Sequence, residues 1–347
     1  MIKVGDKIIG KGLPCFIAAE IGINHNADME LAKKMIDSAA ESGADAVKFQ
    51  NYFTEDFILD KDLKYTYVSE GKEVTESQFE MFKRYELNFR QLQLLKEHCD
   101  KKGVLFFSTP TSKRGIDDLV KLNVGLLKNG SDLLVNLPLI KEMAKTKIPT
   151  IISTGMAYVS EIDDAVRAFE DADGKELIIL HCTSSYPTPD DEVNLLKLES
   201  LFKTFNYPVG FSDHTWGIEA AIASVVLGCC FIEKHFTFDK NLPGPDHRFS
   251  SDPAEFKNLV LGVRRTEKMM GGSKIGPTNS EKSGRLGFRL SCAAARDISK
   301  GETISEQDII FIRPASGLHP RFSGSLINRK SKNKIKKGQF IHFNDVE

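Results

Sequence analysis

Val209-Gly210-Phe211-Ser212-Asp213-His214 and Cys230-Phe231-Ile232-Glu233-Lys234-His235-Phe236-Thr237 share one plan. Each run is mainly apolar at its start and polar at its end, and each carries the β-branched and aromatic residues that suit a strand. Between them, residues 217–227 place apolar side chains at helical spacing. Outward from this pair the same unit repeats. Strands are predicted at 16–22, 46–50, 104–110, 125–131, 150–156, 176–182, 209–214 and 230–237. Amphipathic helices are predicted at 28–42, 88–102, 112–122, 137–145, 160–170, 194–205, 217–227 and 253–270. Asp28 and Ser160 suit helix N-caps, and Gly43 and Gly103 suit C-caps.

A strand-then-helix unit repeated eight times predicts an α/β fold, a closed (β/α)8 TIM barrel. An open doubly wound sheet is disfavoured, because polar residues crowd the C-terminal end of nearly every strand and not only those at one switch point. Segment 51–87 interrupts the repeat after the second strand. It is polar with interspersed tyrosines (Tyr52, Tyr65, Tyr67, Tyr85) and predicts a lid or a loop packed on the barrel mouth. Residues 1–270 therefore form the barrel, and the Gly- and charge-rich 271–285 a linker. Residues 286–347, with Lys300-Gly301 and Lys337-Gly338 turns, form a compact β-rich C-terminal domain.

The composition is that of a globular chain: 41% apolar and 27% charged over 347 residues excludes a mostly disordered one. A net charge of -1 provides no basic field, so nucleic acid is not expected as a partner. The longest nearly apolar run, 220–232, is too short to span a bilayer. No signal-peptide pattern opens the chain, and a cytoplasmic location is expected. The six cysteines form no C-x-x-C pair and are expected as small buried hydrophobes.

A barrel brings its C-terminal strand ends to one mouth. In order, those ends carry Glu20, Lys48, Ser108-Thr109, Lys128, Ser153-Thr154, Thr183-Ser184 with Tyr186, Ser212-Asp213-His214 and His235. Two ammonium groups and many hydroxyls suit a substrate bearing phosphate and carboxylate. The lysines also leave open a Schiff-base nucleophile, as in lysine aldolases. His214 and His235 end adjacent strands and could share a divalent transition metal such as Mn2+, Zn2+ or Co2+; each could equally be a structural hydrogen-bonder. The rigid loop Asn241-Leu242-Pro243-Gly244-Pro245-Asp246-His247 follows the last strand, where Asp246 could bind sugar hydroxyls, move a proton, or simply cap a turn.

Together with their neighbours, these residues resemble the sialic acid synthase family, which condenses phosphoenolpyruvate with an N-acetylated mannose-type sugar. The motifs that carry the resemblance run nearly the whole chain: Ala19-Glu20-Ile21-Gly22-Ile23-Asn24-His25-Asn26, Val47-Lys48-Phe49-Gln50, Phe107-Ser108-Thr109-Pro110, Ile152-Ser153-Thr154-Gly155-Met156, His181-Cys182-Thr183-Ser184-Ser185-Tyr186-Pro187, Gly210-Phe211-Ser212-Asp213-His214-Thr215, Ile232-Glu233-Lys234-His235-Phe236-Thr237 and Pro243-Gly244-Pro245-Asp246. A C-terminal antifreeze-like (SAF) domain with Ile312-Arg313-Pro314 completes it. The resemblance implies that His214 and His235 hold a divalent metal, Mn2+ foremost, with Mg2+ or Co2+ as alternatives. It implies that Lys48, Thr109, Lys128, Ser131, Ser153, Ser184 and Ser212 bind phosphoenolpyruvate, and that Glu20, Tyr186 and Asp246 contact the sugar. Glu20, Lys48, Lys128 and Asp246 are accordingly the expected catalytic residues. Arg313 is implied to reach the sugar's N-acetyl region from the partner subunit of a domain-swapped homodimer.

The implied reaction joins carbon 3 of phosphoenolpyruvate to the sugar aldehyde, adds water at carbon 2 and releases phosphate, giving a nonulosonic acid. Within the family, a 2,4-diacetamido-6-deoxy hexose leading to legionaminic or pseudaminic acid is the alternative acceptor. Outside it stand a lysine aldolase on the same barrel and a binding protein that has lost turnover. One stretch departs from the family pattern. Where relatives read Lys-Ile-Gly-Ser-(Gly/Asp)-(Asp/Glu), this chain reads Lys128-Asn129-Gly130-Ser131-Asp132-Leu133. Leu133 occupies the second acidic position, and Asp132 can compensate only if the backbone turns differently.

Overall fold

The computed structural model describes all 347 residues, which divide into two compact units, Met1–Gly271 and Gly272–Glu347. In the first, eight parallel strands close into a barrel: β1 (Phe16–Gly22), β2 (Ala46–Asn51), β3 (Leu105–Pro110), β4 (Leu127–Asn129), β5 (Thr150–Ser153), β6 (Leu177–Cys182), β7 (Val209–Asp213) and β8 (Phe231–His235). Ring order follows chain order, and β8 closes on β1 with His235 opposite Glu20.

Strand parity sorts the side chains, because successive residues point to opposite faces. Ile17, Ala19, Val47 and Phe49 face the helical layer and join its core, whereas Phe16, Ala18, Ala46, Phe107, Ile178, Leu180 and Phe231 fill the barrel interior. Phe16 and Phe231 stack there with centroids 5.3 Å apart. Gly210 is required in this layer, since a Cβ would lie 2.5 Å from the Phe231 carbonyl oxygen and 2.4 Å from Leu180. Two residues further along each strand the inward positions turn polar: Ala18 gives way to Glu20, Ala46 to Lys48, Phe107 to Thr109 and Phe231 to Glu233. An apolar plug thus supports a polar floor.

Some details differ from expectation. A hairpin of Ile2–Val4 and Lys7–Ile9 seals the bottom with Ile2, Val4 and Ile9; its three-residue strands are too short to carry a period. The fourth and fifth strands stop at Asn129 and Ser153, because three-ten and loop backbone follows at once. Asp28 accepts from two backbone N–H groups as an N-cap, but Ser160 lies inside a helix capped at Tyr158. Segment 51–87 contains a hairpin (Lys64–Ser69 with Lys72–Ser77) turning on Glu70 and Gly71, both at positive φ, and a helix, Gln78–Tyr85. Tyr52, Phe57 and Phe82 meet edge to face within it, and the segment packs over the mouth as predicted.

The second unit has less strand than predicted. One two-stranded sheet (Ser291–Ala294 with Ile309–Ile312) and isolated bridges surround a core that includes Cys292, Ile298, Ile304, Leu326, Ile335 and Ile341. No helix is long and apolar enough to cross a membrane.

Candidate active site

The polar floor opens into a cavity of about 470 Å³. Its lining brings together Glu20, Lys48, Thr109, Lys128, Ser131, Ser153, Ser184, Tyr186, Ser212, His214, His235 and Asp246, twelve of the thirteen predicted site residues. The thirteenth, Arg313, belongs to the second unit, where its guanidinium lies over Phe288. Other strand-end candidates turn away by parity. Ser108 donates to the Phe49 carbonyl, Thr154 to the Leu180 carbonyl, and Asp213 is held by buried Lys234 at 2.8 Å.

At the floor, Lys48 Nζ lies 3.3 Å from both Glu20 Oε1 and Glu233 Oε1, and Lys128 Nζ lies 3.5 Å from the same Glu233 oxygen. Lys48 also donates to Thr109 Oγ1, and Ser212 Oγ donates to Glu233 Oε1 at 3.1 Å. The two carboxylates share these cations unequally. Burial raises Glu20 to about 7, although Lys48 opposes the shift. Burial acts the same way on Glu233, but Lys128 and Lys48 outweigh it and bring Glu233 down to about 2. Burial also pulls on both lysines: Lys128 is lowered, whereas Glu20 and Glu233 reverse the effect and hold Lys48 above its ordinary value. Both residues line the cavity, and Glu20 Oε2 and Glu233 Oε2 are buried without hydrogen-bond partners.

Glu233 has no place among the predicted site residues. It lies two residues before His235 on β8 and so shares its inward face, a signal that strand parity carries. The same rule reaches Gln50 from Lys48 and Cys182 from Ser184. Both line the cavity, and Cys182 is buried as expected.

Next to these groups, two residues on from Ser212 and Glu233, the His214 and His235 rings lie with centroids 5.3 Å apart, and Tyr186 covers His214 at 4.2 Å. His214 Nδ1 donates to the Thr183 carbonyl at 2.8 Å, which leaves Nε2 with the free lone pair. His235 Nδ1 is buried without a hydrogen-bond partner, 3.9 Å from Asp246 Oδ2. Burial, with help from His214, keeps His235 well below its ordinary value and therefore neutral. Burial raises Asp246 to about 6. No group of three or more His, Cys, Asp or Glu side chains gathers to hold a metal. Burial pulls His214 down, but Cys182 outweighs it and holds His214 above its ordinary value. The donors fit a divalent cation held by the two imidazoles once His214 Nε2 carries no proton, its other positions left to substrate oxygens and water.

The β4 turn answers the question raised by Leu133. Leu133 packs against the barrel–helix core, and Asp132 lines the cavity. Around them, Ser131 Oγ accepts from the Gly155 N–H at 3.0 Å.

Comparison with known proteins agrees with this architecture. The NeuB family model matches residues 35–275 and the SAF domain model matches residues 291–347. An uncharacterized protein of Methanocaldococcus jannaschii is 44% identical over 345 residues, covering 99% of this chain and 98% of its own. The N,N'-diacetyllegionaminic acid synthase of Legionella pneumophila is 39% identical, covering 99% of this chain and 98% of its own. The crystal structure of an N-acetylneuraminic acid synthetase from Leptospira borgpetersenii, in complex with citrate, superposes with a TM-score of 0.74 at 36% identity, over 82% of this chain and 94% of that one. On motifs, barrel and C-terminal domain alike, the chain belongs to the NeuB family, the sialic acid synthase family, whose members include nonulosonic acid synthases.

Proposed function

We propose that the protein condenses phosphoenolpyruvate with the open-chain form of an N-acetylated amino sugar, and with water, to give a nonulosonic acid and phosphate. The observation that carries this reading is the convergence of buried Lys48 and Lys128 on Glu233, inside a ring of serine and threonine hydroxyls. Two fixed ammonium groups suit the phosphate and carboxylate of an enol phosphate, and the hydroxyls of Thr109, Ser131, Ser153, Ser184 and Ser212 supply directional donors. Glu20 and Glu233 hold Lys48 above its ordinary value while no anion is bound, which disfavours it as a Schiff-base nucleophile. Burial lowers Lys128, so borohydride trapping of a Lys128 adduct with pyruvate is the test of the aldolase alternative.

His214 and His235 would hold a divalent metal such as Mn2+, which when bound supplies Lewis-acid polarisation of the acceptor aldehyde. Glu20, raised to about 7, can hold a proton at its unpartnered Oε2 near neutrality. Tyr186 and Asp246 bound the acceptor side of the cavity. The insertion lines that side with Tyr52, Phe57, Tyr65, Met81 and Phe82, apolar and aromatic surface that would limit water around the reacting groups once substrate is bound. Arg313 is assigned to a second subunit of a domain-swapped homodimer; activity recovered on mixing inactive Lys48→Ala and Arg313→Ala subunits tests that assignment.

An N-acetylmannosamine-type sugar is the first acceptor reading. The aromatic and apolar side chains that the insertion adds to the lining, Tyr52, Phe57, Tyr65, Met81 and Phe82, support a second, a 2,4-diacetamido-6-deoxy hexose, and Lys48 and Lys128, the only Lys or Arg in the lining, both lie at the floor. A phosphorylated acceptor has no cation waiting for it there. Phosphate release from phosphoenolpyruvate, measured with a panel of 2-acetamido hexoses and Mn2+, is the test. Release with none of them refutes the reading.

A further inference from the structure

Asp246 reaches the cavity from the loop 241–250 and not from a barrel strand. Its carboxylate is approached only loosely, with His235 Nδ1 at 3.9 Å. Where that carboxylate sits therefore depends on how the loop backbone is held, and two other segments hold it.

The first is the turn after β1. Asn26, at a φ of 51° that asparagine tolerates, donates from Nδ2 to the Pro243 carbonyl at 2.8 Å. Its Oδ1 accepts from His247 Nε2 at 3.3 Å. His247 is buried, and its Nδ1 hydrogen-bonds the Thr237 hydroxyl at 2.7 Å, so the ring ties the chain just beyond β8 to Asn26. Asn24 adds to the grip. It donates to Ser250 Oγ at 2.9 Å, and Ser250 Oγ donates to the Asp246 carbonyl at 2.6 Å. Gly244 permits this close approach: its φ is 146°, and a Cβ there would lie 2.9 Å from His247 Cδ2 and 3.3 Å from Asn26 Oδ1.

The second segment is the insertion. The Gly244 N–H donates to Ser69 Oγ at 3.0 Å in buried surroundings. Ser69 ends the first strand of the insertion hairpin and pairs with Lys72 across the Glu70-Gly71 turn, so strand pairing fixes its hydroxyl. Tyr65, Tyr67 and Ser69 share one face of that strand by parity, and Tyr65 lines the cavity. The loop is thus gripped at positions 243, 244, 246 and 247, on both sides of the Asp246 carboxylate.

We propose, on the reading that Asp246 meets the acceptor, that Asn26 and Ser69 are positioning residues that set the Asp246 carboxylate against the sugar, one from the barrel and the other from the insertion. The hydrogen bond from Gly244 to Ser69 joins the insertion hairpin to the acceptor loop, so Tyr65 and Asp246 keep a fixed spacing on the acceptor side.

The test uses the full chain with Mn2+, phosphoenolpyruvate and the acceptor that the sugar panel identifies. Ser69→Ala leaves the Gly244 N–H buried without an acceptor, and Asn26→Gly removes the amide at a backbone conformation that glycine adopts freely. In each variant kcat/KM for the acceptor should fall about tenfold or more. KM for phosphoenolpyruvate should stay within about twofold of wild type, because the floor lysines are untouched. Ser69→Thr keeps the hydroxyl and should keep wild-type kcat/KM. Hydrogen exchange reads the grip apart from turnover: amides of residues 243–250 should exchange at least about tenfold faster in both variants, with barrel-strand amides unchanged. Wild-type exchange in this loop, wild-type acceptor kcat/KM in both variants, or a loss shared equally by both substrates overturns the proposal alone. A wild type that releases phosphate with no sugar of the panel refutes the reaction, and the proposal falls with it.

Discussion

Glu233 Oε1 lies 3.3 Å from Lys48 Nζ, and both side chains are almost wholly removed from solvent. A buried pair of this kind gives little net stability, but losing one partner is costly because the other stays charged and buried. Glu233→Gln leaves Lys128 without a carboxylate partner and Lys48 with Glu20 alone. The variant should lose about 3–5 kcal/mol in urea unfolding. Inorganic phosphate should then raise its melting temperature more than that of the wild type, since the anion replaces the missing carboxylate. Equal phosphate shifts in the two proteins would argue that the lysines do not form an anion site.

Gly155 tests the hydroxyl ring. A Cβ there would lie 2.2 Å from Ser184 Oγ and 2.8 Å from Ser131 Oγ. Both oxygens can rotate away, so Gly155→Ala should fold with near wild-type stability, yet it displaces two groups predicted to bind phosphoenolpyruvate. KM for phosphoenolpyruvate should rise about tenfold, corresponding to roughly 1.4 kcal/mol of lost binding. An unchanged KM would remove Ser131 and Ser184 from the substrate contacts.

The histidine pair predicts metal dependence. Chelation should abolish phosphate release and Mn2+ should restore it. His214→Ala and His235→Ala should each bind Mn2+ at least about tenfold more weakly, read directly by electron paramagnetic resonance of free Mn2+. Full activity in chelator, or wild-type Mn2+ affinity in His214→Ala, would refute the metal site.

Acid should destabilise the fold through His25. It is buried, and its Nδ1 accepts the Ala27 N–H at 3.0 Å. Burial, reinforced by nearby His247, lowers it from 6.5 to about 4. Between those two values the unfolded chain binds a proton that the folded chain refuses, so stability falls as pH drops through this window. His25→Asn should reduce the slope of unfolding free energy against pH by about 1.4 kcal/mol per pH unit within it. The difference between the two proteins isolates this group from Glu20, whose raised value acts in the opposite sense. Parallel slopes would show that His25 titrates normally in the folded state.

Lys48, Lys128, Ser212, His214 and His235 were legible because a barrel turns a position along the chain, the end of a strand, into a position in space. Glu233 was harder to see. Parity with His235 offers it as an inward residue, but that it meets both Lys48 and Lys128 appears only once its strand is registered against β7 and β1 in the closed barrel. The short Ile2–Val4 hairpin was invisible for a related reason: too few residues to show a period, and a role that appears only once the barrel bottom exists.

Thus the order of strands and helices, the closed barrel and the chemical character of its mouth follow from the sequence by itself, because they depend on periodicity and on strand direction. Which carboxylate neutralises which lysine, and that Asp132 rather than its neighbour Leu133 meets the cavity, were decided by the tertiary structure alone. Both outcomes depend on a side chain's direction within a turn or register, and contacts as distant in the chain as Lys48 with Glu233 set that direction.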